Sequence, residues 1–365
     1  MNIAVLGAGQ LGRMLALSGI PLGLRFRFLD PSQEPCAAAV GEVLQGAYDD
    51  GETLRQLCAD AAVVTYEFEN VPIAAAAAAA ARTTLSPPLA ALQHAQDRGE
   101  EKALFDRLGI PVAPYALIDD EASLHAGLAA VGLPAVLKTR RLGYDGKGQR
   151  VLRSAADVAP AWAALGGQAL ILERFVAFER EISCLGVRGR DGVQRFYPVS
   201  TNVHRDGILR VSRPRADDPL QALAEGYTAQ VMDALGYVGV MAFEFFVCGT
   251  TLLGNEIAPR VHNSGHWTQD GAVCSQFENH LRAITGLPLG PTALRQPCAM
   301  VNLIGAAPPR AALLASAPGL RLHLYDKQPQ RGRKIGHVNL VADSDAALES
   351  ALARVLPLIE ETADG

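Results

Sequence analysis

The sequence predicts an α/β domain at the N-terminus, an α+β body behind it and a small β-rich segment at the end. Three observations carry this. Short apolar runs alternate with helical runs over about residues 1–95. Strand-like runs broken by glycine turns then dominate to about residue 290. A stretch holding Pro288, Pro291 and Pro297 sets off a tail with three more strand-like runs and one amphipathic helix. The expected domains are 1–95, 96–290 with a small lid at about 111–178, and 291–365.

In order, "NIAVLG" reads as a strand, "GQLGRMLALSGIPLG" as a helix stopped by glycine, "RFRFLD" as a second strand and "AVVTYEFENVP" as a strand running into a Pro-ended loop. The polyalanine run at 74–81 reads as a plain helix, since alanine is the best helix former. "QDRGEEKALFDRLG" is a charged helix that stops at Gly109, with Pro111 and Pro114 beyond. The body follows with strands "AVLKT", "ALILERFV", "EISCLGV", "GVMAFEFFV" and "TLLGNEIA" and with helices in "ADVAPAWAALG" and "PLQALAEGYTAQVMDALG". The tail has "CAMVNLIG", "LRLHLYDK", "GHVNLVA" and a helix from about Ser344 to Glu361.

The 365 residues are 49% hydrophobic and 19% charged, a globular balance, and the net charge of −5 gives no basic field for nucleic acid or anionic lipid. The six cysteines are scattered without a C-x-x-C pair, as expected of free thiols in a reducing compartment. The N-terminus reads as a strand and a glycine turn rather than a secretion signal, and no run of about 18 apolar residues predicts a membrane span. A cytoplasmic protein is expected.

Three stretches carry chemistry. "GAGQLG" places Gly7, Gly9 and Gly12 in G-x-G-x-x-G spacing after a strand, and Asp30 ends the next strand. That spacing suits a dinucleotide, another phosphorylated ligand or simple strand–helix packing. "RRLGYDGKGQ" has Gly143, Gly146 and Gly148 between two strand-like runs, a tight cationic loop suited to the phosphates of ATP. "AFEFFVCGTTLLGNEIAPR" reads as a hairpin. If Glu244 pairs with Glu256, Val247 pairs with Leu253, and the two carboxylates stand opposite each other on one face. Like charges so placed destabilise unless a divalent cation lies between them. A register shifted by one would send the acids to opposite faces. Beyond it, "RVHNSGHWT" crowds Arg260, His262, Asn263, Ser264 and His266 beside these acids, which suits an anion-handling site.

The order of a strand lysine, a glycine loop and two later acidic strand residues resembles the ATP-grasp enzymes. The segments "GQLGRM", "TYEFENVP", "GYDGKGQ", "ERFVAFEREIS", "NVHRDGIL" and "NEIAPRVHNSGHWT" are similar to the signatures of the N5-carboxyaminoimidazole ribonucleotide synthase family, from Gly9 to about His337. The resemblance implies an ATP-grasp fold with an N-terminal pre-ATP-grasp, Rossmann-like domain and a small C-terminal domain. It implies that ATP and bicarbonate give carboxyphosphate, whose carboxyl passes to 5-aminoimidazole ribonucleotide directly or through CO₂, with "GAGQLG" holding a ribonucleotide phosphate rather than NAD. It also implies Mg²⁺ and a homodimer.

Residue by residue, the resemblance assigns ATP contacts to Arg98 and Lys138 and a phosphate lid to Gly143, Tyr144, Asp145, Gly146, Lys147, Gly148 and Gln149. It assigns an adenine hinge to Glu173, Arg174, Phe175 and Val176, ribose to Glu181 and nucleotide to His204. Asn255 and Glu256, with Glu244, become phosphate and Mg²⁺ ligands. Arg260, His262 and Asn263 fit bicarbonate or carboxyphosphate. Tyr144 and Asp145 close on the acceptor, which Gln10, Leu11, Glu69, Lys327, Arg333 and Lys334 hold. The competing readings are a formate-activating ATP-grasp ligase acting on glycinamide ribonucleotide, an NAD-dependent oxidoreductase, and a nucleotide-binding regulator without turnover.

Overall fold

In the computed structural model, residues 1–143 and 146–363 are described; Tyr144 and Asp145 of the glycine loop lie outside them. The N-terminal unit comprises β1 (Asn2–Leu6), α1 (Gln10–Gly19), β2 (Arg25–Asp30), β3 (Glu42–Gln45), α2 (Gly51–Cys58), β4 (Val63–Tyr66), α3 (Ile73–Ala80) and α4 (Leu89–Ala95). Its four strands form a parallel sheet in the order β3-β2-β1-β4. Near-continuous burial of β1 and β4 fits a sheet covered on both faces. The polyalanine run is the expected helix and buries Ala75, Ala76 and Ala79.

Next come α5 (Arg98–Arg107), β5 (Tyr115–Ile118), α6 (Glu121–Val131), β6 (Ala135–Thr139), β7 (Gln149–Leu152), α7 (Val158–Leu165) and β8 (Leu170–Arg174). Asp97 caps α5 by accepting from the amide of Gly99 at 2.9 Å, the expected role of an aspartate before a helix. The same carboxylate holds Arg140 at 2.8 Å and Arg141 at 3.1 Å, which ties the base of the glycine loop to the start of the helix. The four strands make a separate antiparallel sheet, β5-β8-β6-β7, over its own apolar core with α6 and α7.

The remaining elements are β9 (Arg180–Arg188), β10 (Gln194–Phe196), β11 (Ser200–Arg205), β12 (Ile208–Pro214), α8 (Gln221–Ala234), β13 (Gly239–Cys248), β14 (Thr251–Ala258), α9 (Thr268–Gly271), α10 (Gln276–Thr285), β15 (Cys298–Ile304), α11 (Arg310–Ser316), β16 (Leu320–Leu324), β17 (Lys334–Val341) and α12 (Asp345–Ala363). They build one nine-stranded sheet, β14-β13-β9-β11-β12-β15-β17-β16, with β10 also on β9. The sheet continues past residue 290: Val211 pairs with Val301 and Ser212 with Met300, so the tail strands extend the body rather than sit apart from it. The β11–β12 hairpin, turning at Asp206 and Gly207, is an element that the sequence reading did not separate. Phe277 and Leu281 of α10 join Phe26 and Phe28 in one core, which fixes the N-terminal sheet against the body. Among the described residues no helix is long and apolar enough to cross a membrane.

Candidate active site

The β13–β14 hairpin sets two acids in place. Cys248 pairs with Thr251 across a turn at Gly249, whose φ of 62° suits glycine. An unbroken ladder from this turn would put Asn255 opposite Glu244. A bulge between Glu244 and Phe245 shifts the register, and Glu244 faces Glu256. The expected acid pair is therefore present, but the expected Val247–Leu253 pair is not; Val247 meets Leu252 because the bulge lies between the acids and the turn. Burial, and then the Glu256 charge, push the Glu244 carboxyl up to about 8. Glu256 accepts from Arg98 at 2.9 Å.

Both acids line a cavity of ≈ 380 Å³ between the two antiparallel sheets. Its polar end also holds Arg98, Lys138, Gly146, Lys147, Gln149, Asn255 and His204. Lys138 donates to Glu173 at 2.5 Å, and burial of Glu173 is outweighed by Lys138 and Lys102, so the carboxyl falls to about 2. His204 stands 3.1 Å from Glu181; burial opposes its charge, but Glu181 and Glu244 raise its pKa overall. The apolar end has Val136, Val176 and Phe175, with Phe178 stacked on Phe246 at 4.7 Å. The hinge differs in part from expectation. Glu173 is a central strand residue with its carboxylate turned to lysines. The amides of Arg174 and Phe175 bond Pro114 at 2.8 Å and Pro134 at 3.0 Å, and the Arg174 guanidinium bonds the Val131 carbonyl. The Val176 amide makes no bond to another described residue, and Val176 lines the cavity.

A second cavity, of ≈ 360 Å³, opens toward the N-terminal sheet and is lined by Gln10, Leu11, Glu69, Arg260 and His266 among others. Arg260 is bonded to Glu69; burial resists both charges, yet each holds the other, with Glu69 lowered to about 2 and Arg260 raised. His262 is neutral, lowered to about 3 by burial and then by Arg260. The Gln276 side chain accepts from the His262 amide at 2.9 Å and donates to its carbonyl at 2.7 Å. Asn263 exchanges two amide hydrogen bonds with Asn302, at 3.0 and 2.7 Å.

"GAGQLG" is built differently from a bare phosphate cradle. Glu67 accepts from the amides of Gly9 (2.5 Å) and Gly12 (2.8 Å), and Asp30 from that of Ala8 (2.9 Å). A Cβ on Gly7 or Gly9 would stand 2.5 Å from the Glu67 side chain. The glycines make room for an internal carboxylate, so the donors that a dinucleotide pyrophosphate would take are occupied. That removes the oxidoreductase reading and leaves Gln10 and Leu11 as the loop residues that line the second cavity.

The two cavities share a wall: Arg98, Glu256, His262, Asn263 and Lys334 line both. Lys327 lines neither but bonds the Gln10 side chain. Arg333 is exposed, reaches the Gln328 carbonyl at 3.4 Å among the described residues and lines neither cavity. The assignments to Tyr144 and Asp145 lie outside the described residues. Four buried residues of the site went unread in the sequence. Glu101 and Lys102 sit three and four positions after Arg98, a helical spacing that could have placed them beside it. Glu67 and Gln276 had no local signal, because their partners are remote in the chain.

Comparison with known proteins bears on these cavities. Residues 1–96 match the ribonucleotide synthetase preATP-grasp domain, 103–277 the ATP-grasp domain and 298–351 the phosphoribosylaminoimidazole carboxylase C-terminal domain. The N5-carboxyaminoimidazole ribonucleotide synthase of Pseudomonas aeruginosa is 53% identical over 360 residues, covering 99% of this chain and 100% of that protein. The chain belongs to the N5-carboxyaminoimidazole ribonucleotide synthase family. The Escherichia coli family member is 40% identical over 98% of this chain and 95% of its own length. Among solved members, the Thermus thermophilus synthetase superposes with a TM-score of 0.94 at 53% identity, covering 98% of both chains. The Aspergillus clavatus enzyme, solved with ADP and 5-aminoimidazole ribonucleotide, gives 0.90 at 29% identity, over 99% of this chain and 98% of that one.

Proposed function

We propose that the chain carboxylates 5-aminoimidazole ribonucleotide at its 5-amino nitrogen, using ATP and bicarbonate, in purine biosynthesis. The observation that carries this is the shared wall: a nucleotide-sized cavity and an acceptor cavity meet at Arg98, Glu256, His262, Asn263 and Lys334. A phosphoryl group held at that wall is within reach of groups in both.

In this reading ATP lies with its adenine between Val136 and the Phe178–Phe246 pair, its edge on the Val176 amide and its ribose at Glu181. Lys138, Lys147 and Arg98 meet the phosphates. A bicarbonate oxygen attacks the γ-phosphorus, the bond to the β-phosphate oxygen breaks, and carboxyphosphate and ADP result. Arg260, pinned by Glu69, and the neutral His262 orient the bicarbonate; a rigid guanidinium holds its charge at this site without reorganising. The 5-amino nitrogen then bonds the carboxyl carbon as phosphate leaves and takes up the amine proton. Gln10, Leu11, Lys327 and Lys334 hold the ribonucleotide. The loop at 143–149 excludes water, which matters because carboxyphosphate hydrolyses readily.

Glu244 and Glu256 fit Mg²⁺: two opposed carboxylates, one with a raised pKa, offer hard oxygen donors. No group of three His, Cys, Asp or Glu side chains among the described residues could hold a metal alone, so the nucleotide and water would complete the shell. The ion would neutralise charge on the polyphosphate. A cytoplasmic homodimer rests on family resemblance; sedimentation velocity tests the dimer. The deciding assay measures ADP release with bicarbonate plus 5-aminoimidazole ribonucleotide against formate plus glycinamide ribonucleotide. Turnover with the first pair is expected, and turnover with the second pair alone would replace this reading.

A further inference from the structure

The bulge that puts Glu256 opposite Glu244 needs a cause, because the hairpin turn by itself specifies another register. Continuing the pairs Cys248–Thr251 through Phe245–Gly254 would set Glu256 opposite Phe243, on the face that packs against Phe105. A bulge breaks a ladder and leaves main-chain groups to be satisfied elsewhere. Here the partners come from one face of α5. Lys102, 2% exposed, donates from Nζ to the carbonyls of Gly254 (3.0 Å) and Asn255 (2.7 Å). Glu101, also 2% exposed, accepts from the amide of Ile257 at 2.7 Å. Arg98, one turn earlier, holds the carboxylate of Glu256 itself. Residues i, i+3 and i+4 of one helix therefore bracket four consecutive residues of the bulged strand.

We propose that Lys102 and Glu101 are positioning residues that hold this bulge, so that α5 sets the register of the Mg²⁺ acids. The proposal rests on the reading of Glu244 and Glu256 as those acids. Lys102 works through its three hydrogens and its length, which let one ammonium donate to two adjacent carbonyls. Glu101 works as an acceptor, so glutamine can stand in for it and alanine cannot.

The test compares Lys102→Met, Glu101→Ala, Glu101→Gln and Glu256→Gln with the wild-type protein. Three readouts are taken: the Mg²⁺ concentration that half-restores ADP-dependent thermal protection, amide hydrogen exchange across 252–258, and KM for 5-aminoimidazole ribonucleotide. Lys102→Met and Glu101→Ala are expected to raise the Mg²⁺ midpoint at least ten-fold and to speed exchange across the bulge. KM for the ribonucleotide should stay within two-fold in Lys102→Met, whose side chain does not line the acceptor cavity, and Glu101→Gln should retain most of the wild-type Mg²⁺ midpoint. A general loss of fold would move all three readouts together. If Lys102→Met fails to fold, Glu101→Ala decides by its Mg²⁺ midpoint and exchange, with Glu101→Gln as the folded control. An unchanged Mg²⁺ midpoint in the folded variants, while Glu256→Gln raises it, overturns the positioning role. An unchanged midpoint in Glu256→Gln overturns the metal reading instead.

Discussion

Neutralising one of the opposed acids should stabilise the empty protein, a sign opposite to that of most substitutions in a buried site. Glu244 is half-buried, faces Glu256 across the ladder, and has its carboxyl pushed from 4.5 to about 8, first by desolvation and then by that neighbour. The unfolded chain loses this proton near 4.5, whereas the folded one keeps it to about 8. Below the first value both states are protonated and the group costs nothing. Between the two values the folded state binds the extra proton and stability falls with pH; above about 8 the cost is complete. At ~1.36 kcal/mol per pH unit, the three to four units set an upper bound of about 4–5 kcal/mol. Water in the open cavity and the Arg98 partner of Glu256 reduce this to about 1–2 kcal/mol. Glu244→Gln keeps the shape and removes the charge. In EDTA near pH 8 its melting temperature should exceed the wild-type value by about 2–4 °C, and the gap should close as pH falls toward 5. With Mg²⁺ and ADP the order should reverse, since the ion stabilises only a protein that binds it. Scanning calorimetry at the two pH values, with and without MgADP, reads all four states. A variant that melts below wild type in EDTA near pH 8 would refute the repulsion argument.

Thermal shifts should rise with ATP and stay flat with NAD, because Glu67 and Asp30 occupy the loop amides; a clear shift with NAD alone would reopen the dinucleotide reading. Glu69→Gln strips the half-buried Arg260 of its counter-charge. Turnover should fall at least a hundred-fold while ADP affinity, by calorimetry, stays within about three-fold. His204 has a raised pKa, so its ion pair with Glu181 adds stability that is complete below about 6.5 and is lost as pH rises through the folded value. His204→Gln should therefore melt below wild type near pH 6 and approach it by pH 9 in denaturation scans. Asp145→Ala should lower the ratio of carboxylated product to phosphate, measured side by side; an unchanged ratio with unchanged rates would leave Asp145 as a turn residue.

The strands and helices carrying the nucleotide cavity were legible because their signals are local: the strand-like run "AVLKT", the Gly109 stop with Pro111 and Pro114 beyond it, and the glycines that break strand from strand. The acid pair was legible for a weaker reason. The expected Glu244–Glu256 pairing is right, yet the ladder toward the turn is displaced by one residue, because a bulge depends on groups outside the hairpin. Lys102 supplies those groups from a helix about 150 residues away in the chain, and no pattern within the hairpin records it. "GAGQLG" shows the same limit. Its spacing reports close approach to something anionic, and only the fold reveals that the anion is the chain's own Glu67. The resemblance assigns Arg333 and Lys334 together to the acceptor; β17 begins at Lys334, which lines both cavities, whereas Arg333 lines neither.

The central claim is that bicarbonate attacks the γ-phosphate where the two cavities meet, and the fate of a bicarbonate oxygen tests it most directly. The enzyme is turned over with ATP, 5-aminoimidazole ribonucleotide and ¹⁸O-labelled bicarbonate, and the inorganic phosphate is analysed by ³¹P NMR. The oxygen that bridges carbon and phosphorus in carboxyphosphate stays with phosphorus when the carboxyl leaves. The account predicts one labelled oxygen in each phosphate formed. Product formed with unlabelled phosphate, under conditions where the bicarbonate label is retained, would contradict it.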